Sequence, residues 1–87
     1  MASPIYDSRK ELLSEALHKA ENAVFFDDRG NYADAIRAYG NSCALLGQVM
    51  RTTLTSVDRA TVETIRTSYI KRIYELQGSL GPMSPRF

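Results

Sequence analysis

The sequence predicts an all-α protein, an antiparallel up-down-up bundle of three helices. Three observations carry this reading. Apolar residues recur at spacings of three and four in three separate segments, which is the helical period. No segment alternates with period two over the length of a strand. The links between the segments are short, which sets consecutive helices side by side and antiparallel.

The first helix is expected over about residues 5–29. Ser3-Pro4 can cap and open it, with proline at the first helical position, and Ser8-x-x-Glu11 offers a second start as a capping box. Leu13, Ala16, Leu17, Ala20, Ala23 and Val24 form its apolar stripe. Phe25 and Phe26 cannot both face one core, so one is expected to be buried and the other to border a groove or be covered by the tail. Asp27 and Asp28 sit poorly against the dipole at a helix C-terminus, and gain if the next N-terminus lies close.

The turn that follows organises the chain. Gly30 is expected as the left-handed residue just past the helix, where a Cβ would clash. Asn31 is expected to cap the second helix, with Asp34 reaching back to it. That helix should run over about 31–51. Its main stripe is Tyr32, Ala35, Ile36, Tyr39, Cys43, Leu46 and Met50. One flank carries Ala38, Ser42, Leu45 and Val49; the other carries Gly40 and Gly47. Each glycine costs a helix about 1 kcal/mol relative to alanine. The two therefore mark either close packing against a neighbouring helix or a shallow groove.

Thr52-Thr53-Leu54-Thr55-Ser56 is a poor helix interior, and Ser56 or Asp58 can cap what comes next. The third helix is expected over about 57–77, with the stripe Val62, Ile65, Tyr69, Ile73 and Leu76 and with Gly78 closing it. Ile70 and Tyr74 lie off this stripe on a second face. Residues 79–87, with two prolines and two serines, read as a disordered tail or linker after a single domain over 1–78.

Composition narrows the chemistry. The 87 residues suffice for one small domain. A single cysteine excludes an internal disulfide, and the one histidine, His18, with Cys43 on a core stripe, makes no metal site. There is no phosphate-binding glycine loop, and a bundle this small offers no pocket of catalytic size, so neither a cofactor nor enzyme activity is expected. No apolar run approaches the roughly 20 residues that span a bilayer, and no signal-peptide pattern opens the chain. A net charge of +1 gives no general attraction to nucleic acid or membranes. Arg59, Arg66, Lys71 and Arg72 are spread around the third helix rather than gathered on one face. The charge is nonetheless divided: residues 1–30 carry four Lys/Arg against six Asp/Glu, residues 55–87 five against three. This leaves the last third basic, either as a solvated face or as one for an acidic partner.

With the helices placed, the chain resembles the MIT domain, the microtubule-interacting and trafficking module. The match is Ala20-x-x-Ala23-Val24-x-x-x-Asp27-x-x-Gly30-Asn31-Tyr32-x-x-Ala35-Ile36-x-x-Tyr39, followed by Tyr69-Ile70-Lys71-Arg72-Ile73-x-x-Leu76. Tetratricopeptide repeats share part of the first segment. Their period of about 34 residues would place a second turn at Thr64-Ile65-Arg66, where there is none.

The resemblance implies a non-catalytic adaptor. MIT domains bind C-terminal tail motifs of ESCRT-III proteins and bring AAA ATPases, deubiquitinases, proteases, kinases or sorting factors to endosomal, midbody or autophagic membranes. A helical motif docks between helices two and three; a more extended, proline-containing motif uses the groove between helices one and three. Carried onto this chain, the first groove would be lined by Ala38, Ser42, Leu45 and Val49 with Thr67, Ile70, Lys71 and Tyr74. Ile70 matches the family's apolar groove residue. The next position is acidic in the sorting ATPases and pairs with an arginine of the tail; here it is Lys71. One turn on, a second acidic position is Tyr74. An arginine-bearing motif is therefore expected to bind weakly or not at all, and a partner with an acidic residue opposite Lys71, or one using another groove, to be preferred. The implied protein is a cytoplasmic monomer, peripheral to endosomal membranes through its partners. The other reading is a structural bundle or dimerisation module of a trafficking or autophagy scaffold, in which Gly40 and Gly47 serve contacts between chains.

Overall fold

A computed structural model describes residues 8–80, with side chains from Arg9 to Ser79. Helix α1 spans Ser8–Asp28, α2 Tyr32–Met50 and α3 Ser56–Leu80. There is no strand among the described residues, and the all-α three-helix reading holds. The alternative start at Ser3-Pro4 and the tail from residue 81 lie outside the described residues. Gly78 does not end the third helix: α3 continues through it to Leu80, and Ser79 donates its hydroxyl to the Glu75 carbonyl at 3.3 Å.

The α1–α2 turn is held by the backbone. Gly30 has φ +79° and is the one positive-φ residue among those described. Its N–H donates to the Asp27 carbonyl at 3.1 Å, and the Asn31 N–H to the Phe26 carbonyl at 2.9 Å. These two bonds make a Schellman C-cap. They also explain why the expected capping box does not form. The Asn31 N–H is already taken by Phe26, the Asn31 side chain makes no cap bond, and Asp34 instead accepts from Arg37 at 2.9 Å. At the start of α3 the cap is Thr55, one residue before the expected Ser56: its hydroxyl accepts from the Asp58 N–H at 3.1 Å. Arg59 then reaches back to the open end of α2, donating to the Met50 carbonyl at 2.7 Å.

The turn and the mid-helix glycine at 40 predict opposite effects. Gly30→Ala forces a Cβ into left-handed backbone and should cost about 1 kcal/mol. Gly40→Ala adds a Cβ with nothing within 4 Å on an ordinary helix and should stabilise by about 0.5–1 kcal/mol. Urea midpoints of the two variants moving in the same direction would contradict this.

Helix α2 is the middle of the bundle and packs against both others. Its buried face joins two clusters. Near the Gly30 turn, Ala23, Ala35, Ala38, Tyr39 and Leu76 are covered by Phe26, Tyr32, Ile36, Tyr69 and Ile73. Towards the other end lie Ala16, Leu46, Val49 and Val62, flanked by Leu12, Leu13, Leu45 and Ile65. Alanines 16, 20 and 23 let α1 lie close on α2. By contrast, no Cα of α1 comes within 8 Å of one of α3. The α1 stripe is consequently split: its alanines are buried, while Leu17 and Val24 stay 41% and 46% exposed.

Candidate peptide-docking grooves

Where the bundle opens, two grooves flank α3. The first lies between α1 and α3, and a shared salt bridge closes one end. Asp27 of α1 accepts from Arg72 Nε and Nη2 of α3, both at 2.8 Å, and from the Tyr39 hydroxyl of α2 at 3.0 Å. Arg72 also donates to Glu75 at 3.1 Å. The bond from Arg72 holds the Asp27 carboxyl below its ordinary pKa of 3.8, against the opposing effect of burial. Burial, with help from Asp27, pushes the Tyr39 phenol up to about 12. The awkward acid at the α1 C-terminus is thus neutralised by α3, not by the start of α2.

At the other end of this groove is a cleft of about 350 Å³. Leu13, Val49, Leu54 and Val62 line its apolar part; Arg9, Lys10, Asp58 and Thr61 form its polar rim. Arg9 donates to the Thr53 carbonyl and so ties α1 to the α2–α3 link. Leu13 and Asp27 therefore both face α3. Leu17, Ala20 and Val24 fall between them at helical spacing and share that face. On α3, Thr61, Ile65, Ser68 and Arg72 form the facing line. Exposed leucine and valine on one wall and half-buried isoleucine on the other leave an apolar trough. From Thr61 to Arg72 it is about 16 Å long, the reach of about five extended residues.

The second groove lies between α2 and α3, on the side away from α1. The α2 flank expected to line it, Ala38, Ser42, Leu45 and Val49, lies elsewhere. Ser42 is fully buried and donates to the Ala16 carbonyl of α1 at 2.7 Å. Ala38 and Val49 belong to the two buried clusters, and Leu45 packs against the second. Ala38, Ser42 and Leu45 lie on the flank of α2 towards α1, and Val49 lines the α1/α3 cleft, so none of the four lines the α2/α3 groove. The α2 wall is the other flank, with Gly40 and Gly47. Neither packs against a neighbouring backbone. A Cβ at Gly40 would meet nothing within 4 Å, and one at Gly47 would meet only the Arg66 side chain, at 3.7 Å.

On α3, Ile70 is half-buried and Tyr74 is 69% exposed, while Thr67 and Lys71 are exposed. Lys71 lies roughly 200° around the helix from the core-facing Tyr69. It lies on the side of α3 away from α2. Arg66 lies against α2 instead. Its Nε donates to the Cys43 carbonyl at 3.1 Å, and the Cys43 thiol donates to the Arg66 carbonyl at 3.8 Å. Burial raises the Cys43 pKa, partly offset by Arg66. The available signal was position: Arg66 precedes Ile70 by one turn.

A family model settles what kind of bundle this is. The model of the MIT (microtubule interacting and transport) domain matches residues 13–78, most of the chain. The protein belongs to the MIT family. Comparisons with curated proteins and with solved structures returned no match. MIT domains are a non-catalytic family of protein-interaction modules that bind peptide motifs of partner proteins. No helix among the described residues of this MIT domain is long and apolar enough to cross a membrane. Of the motif residues, Asp27, Gly30, Tyr39 and Leu76 carry the hairpin and its tie to α3, while Phe26 rather than Phe25 turns inward. Phe25 is 52% exposed, with the Arg29 guanidinium 4.3 Å from its ring centre.

Proposed function

We propose that this MIT domain is an adaptor that takes C-terminal tail segments of ESCRT-III-type proteins in the α1/α3 groove and so brings its host protein to endosomal membranes in the cytoplasm. The observation that carries the choice of groove is the exposure of Leu17 and Val24 beside the Leu13 cleft, on the one helix pair whose backbones stand apart. Both walls are helices with their backbone groups already paired, so an extended ligand finds apolar contact there but no strand edge. A ligand containing proline suits such walls, since it has fewer N–H groups left without a partner. The affinity would come from a few apolar anchors, as in other short-motif recognition.

An NMR titration of the labelled domain with a panel of ESCRT-III tail peptides tests this. Saturable shifts are expected at Leu13, Leu17, Val24 and Ile65. Leu17→Glu places a charge in the trough without entering the core, and should weaken binding by about tenfold or more. Unchanged affinity in that variant, or shifts only at residues remote from α1, would remove the α1/α3 reading.

A further inference from the structure

The end of the α1/α3 trough nearest the Gly30 turn is both apolar and acidic. Val24 and its neighbour Phe25 are exposed there. Glu21 and Asp28 lie one turn beyond Leu17 and Val24, on the outer flank of α1. Asp28 makes no ion pair among the described residues, and Glu21 meets only His18, at 3.8 Å. Helix α3 continues past this end to Leu80, eight residues or about 12 Å beyond Arg72. The chain then goes on as Gly81-Pro82-Met83-Ser84-Pro85-Arg86-Phe87.

Resting on the α1/α3 reading, we propose that this chain's own segment 81–87 occupies that end of the trough in cis, so that a partner tail has to displace it. Four points favour this occupant. The first is reach. Seven extended residues span about 23 Å, enough to turn back past Arg72 to the level of Val24 but not to the Leu13 cleft. Gly81-Pro82 is a turn-forming pair at the point where the reversal is needed. The second is backbone chemistry. Two of the seven residues are prolines, so fewer N–H groups are left facing helical walls that offer no acceptors. The third is charge. Arg86 is the one charged side chain of the segment, and Asp28 and Glu21 are the acids beside the trough. The fourth is apolar content: Met83 and Phe87 supply side chains for Val24 and Phe25, the phenylalanine left outside the core. Tethering makes weak contacts sufficient, because a short link holds the segment at an effective concentration of about millimolar.

The test uses the whole 87-residue chain, first without any partner. Nuclear Overhauser contacts are expected from the Phe87 ring to the Val24 methyls, and they should persist on tenfold dilution. The double variant Met83→Asp with Phe87→Asp alters no residue of the three helices. It should abolish those contacts and move the Val24 and Phe25 signals, while Leu13 stays fixed. ESCRT-III tail peptides that shift Leu17 and Val24 should bind this variant about fivefold more tightly. A segment tethered at ~4 mM and binding at ~1 mM leaves the trough open only about one-fifth of the time. Arg86→Glu should give a smaller gain that salt removes. The proposal is overturned if the segment makes no contact with Val24 or Phe25, if the contacts fade on dilution and so belong to a second copy, if they fall on Gly40 and Gly47 instead, or if the peptides bind both forms equally. Peptide binding without the contacts overturns this inference and keeps the partner reading. Contacts without any peptide binding remove the partner reading and keep the segment in the trough.

Discussion

Leu46→Ala is expected to remove about 3 kcal/mol of stability, the largest effect of any single truncation considered. Leu46 has no exposed surface and lies on α2 where α1 and α3 both reach it, beside Ala16 and Val62. Truncation leaves a void bounded by three helices. Ala16 has no larger side chain to move into it, and the backbone of α1 is already close. A domain of this size has a total stability of about 5–10 kcal/mol, so the variant should be partly unfolded at modest urea. The measurement is equilibrium unfolding by circular dichroism, with the midpoint lowered and the slope unchanged. Leu17→Ala serves as the contrast. It removes the same atoms from a side chain 41% exposed and should cost less than about 1 kcal/mol. Equal losses in the two variants would mean that the α1/α3 trough is closed in solution.

Asp27→Ala should cost about 1–2 kcal/mol, since three hydrogen bonds end on that carboxylate. The figure is kept low because Arg72 is 41% exposed and water screens the pair. The same site predicts how stability depends on pH. The folded carboxyl titrates below its ordinary 3.8, because Arg72 favours the ionised form. Its contribution is therefore complete above about pH 3.8 and drains away as the pH falls through the lower folded value. Tyr39 acts at the opposite end of the scale. Its folded phenol titrates at about 12 instead of 10, so its contribution is full below pH 10 and is lost as pH rises through 12. Asp27→Asn should flatten the acid limb of a stability-against-pH curve while leaving the neutral region lower throughout. An acid limb as steep as that of the unmodified protein would show that Asp27 does not titrate as the ion pair requires.

Both predictions concern contacts that join α1 to α3 through or around α2, and these were the least legible in the chain. Helical periodicity, the Gly30 turn and the polar link at 52–56 each depend on residues close in sequence. For that reason the three helices, their order and the family resemblance could be read directly. The choice of face on each helix could not. Ala38, Ser42, Leu45 and Val49 are all plausible groove residues on an isolated α2. They became core because α1, rich in alanine on one side, lies close enough for Ser42 to bond its backbone.

The placement of charge follows the same rule. Lys71 follows the apolar Ile70 in sequence, but a helix turns successive residues apart, and the rotation of α3 about its axis brings Arg66 to α2 instead. Asp27 looked like a helix-end liability until α3, 45 residues further along, supplied Arg72. Local spacing and turn chemistry are short-range, so the all-α class, the helical hairpin and the MIT resemblance are legible in the chain alone. Which flank of α2 is buried, and which cation of α3 lies against α2, emerge when the helices pack. Those outcomes depend on the relative rotation and separation of whole helices, which side chains distant in the chain establish together.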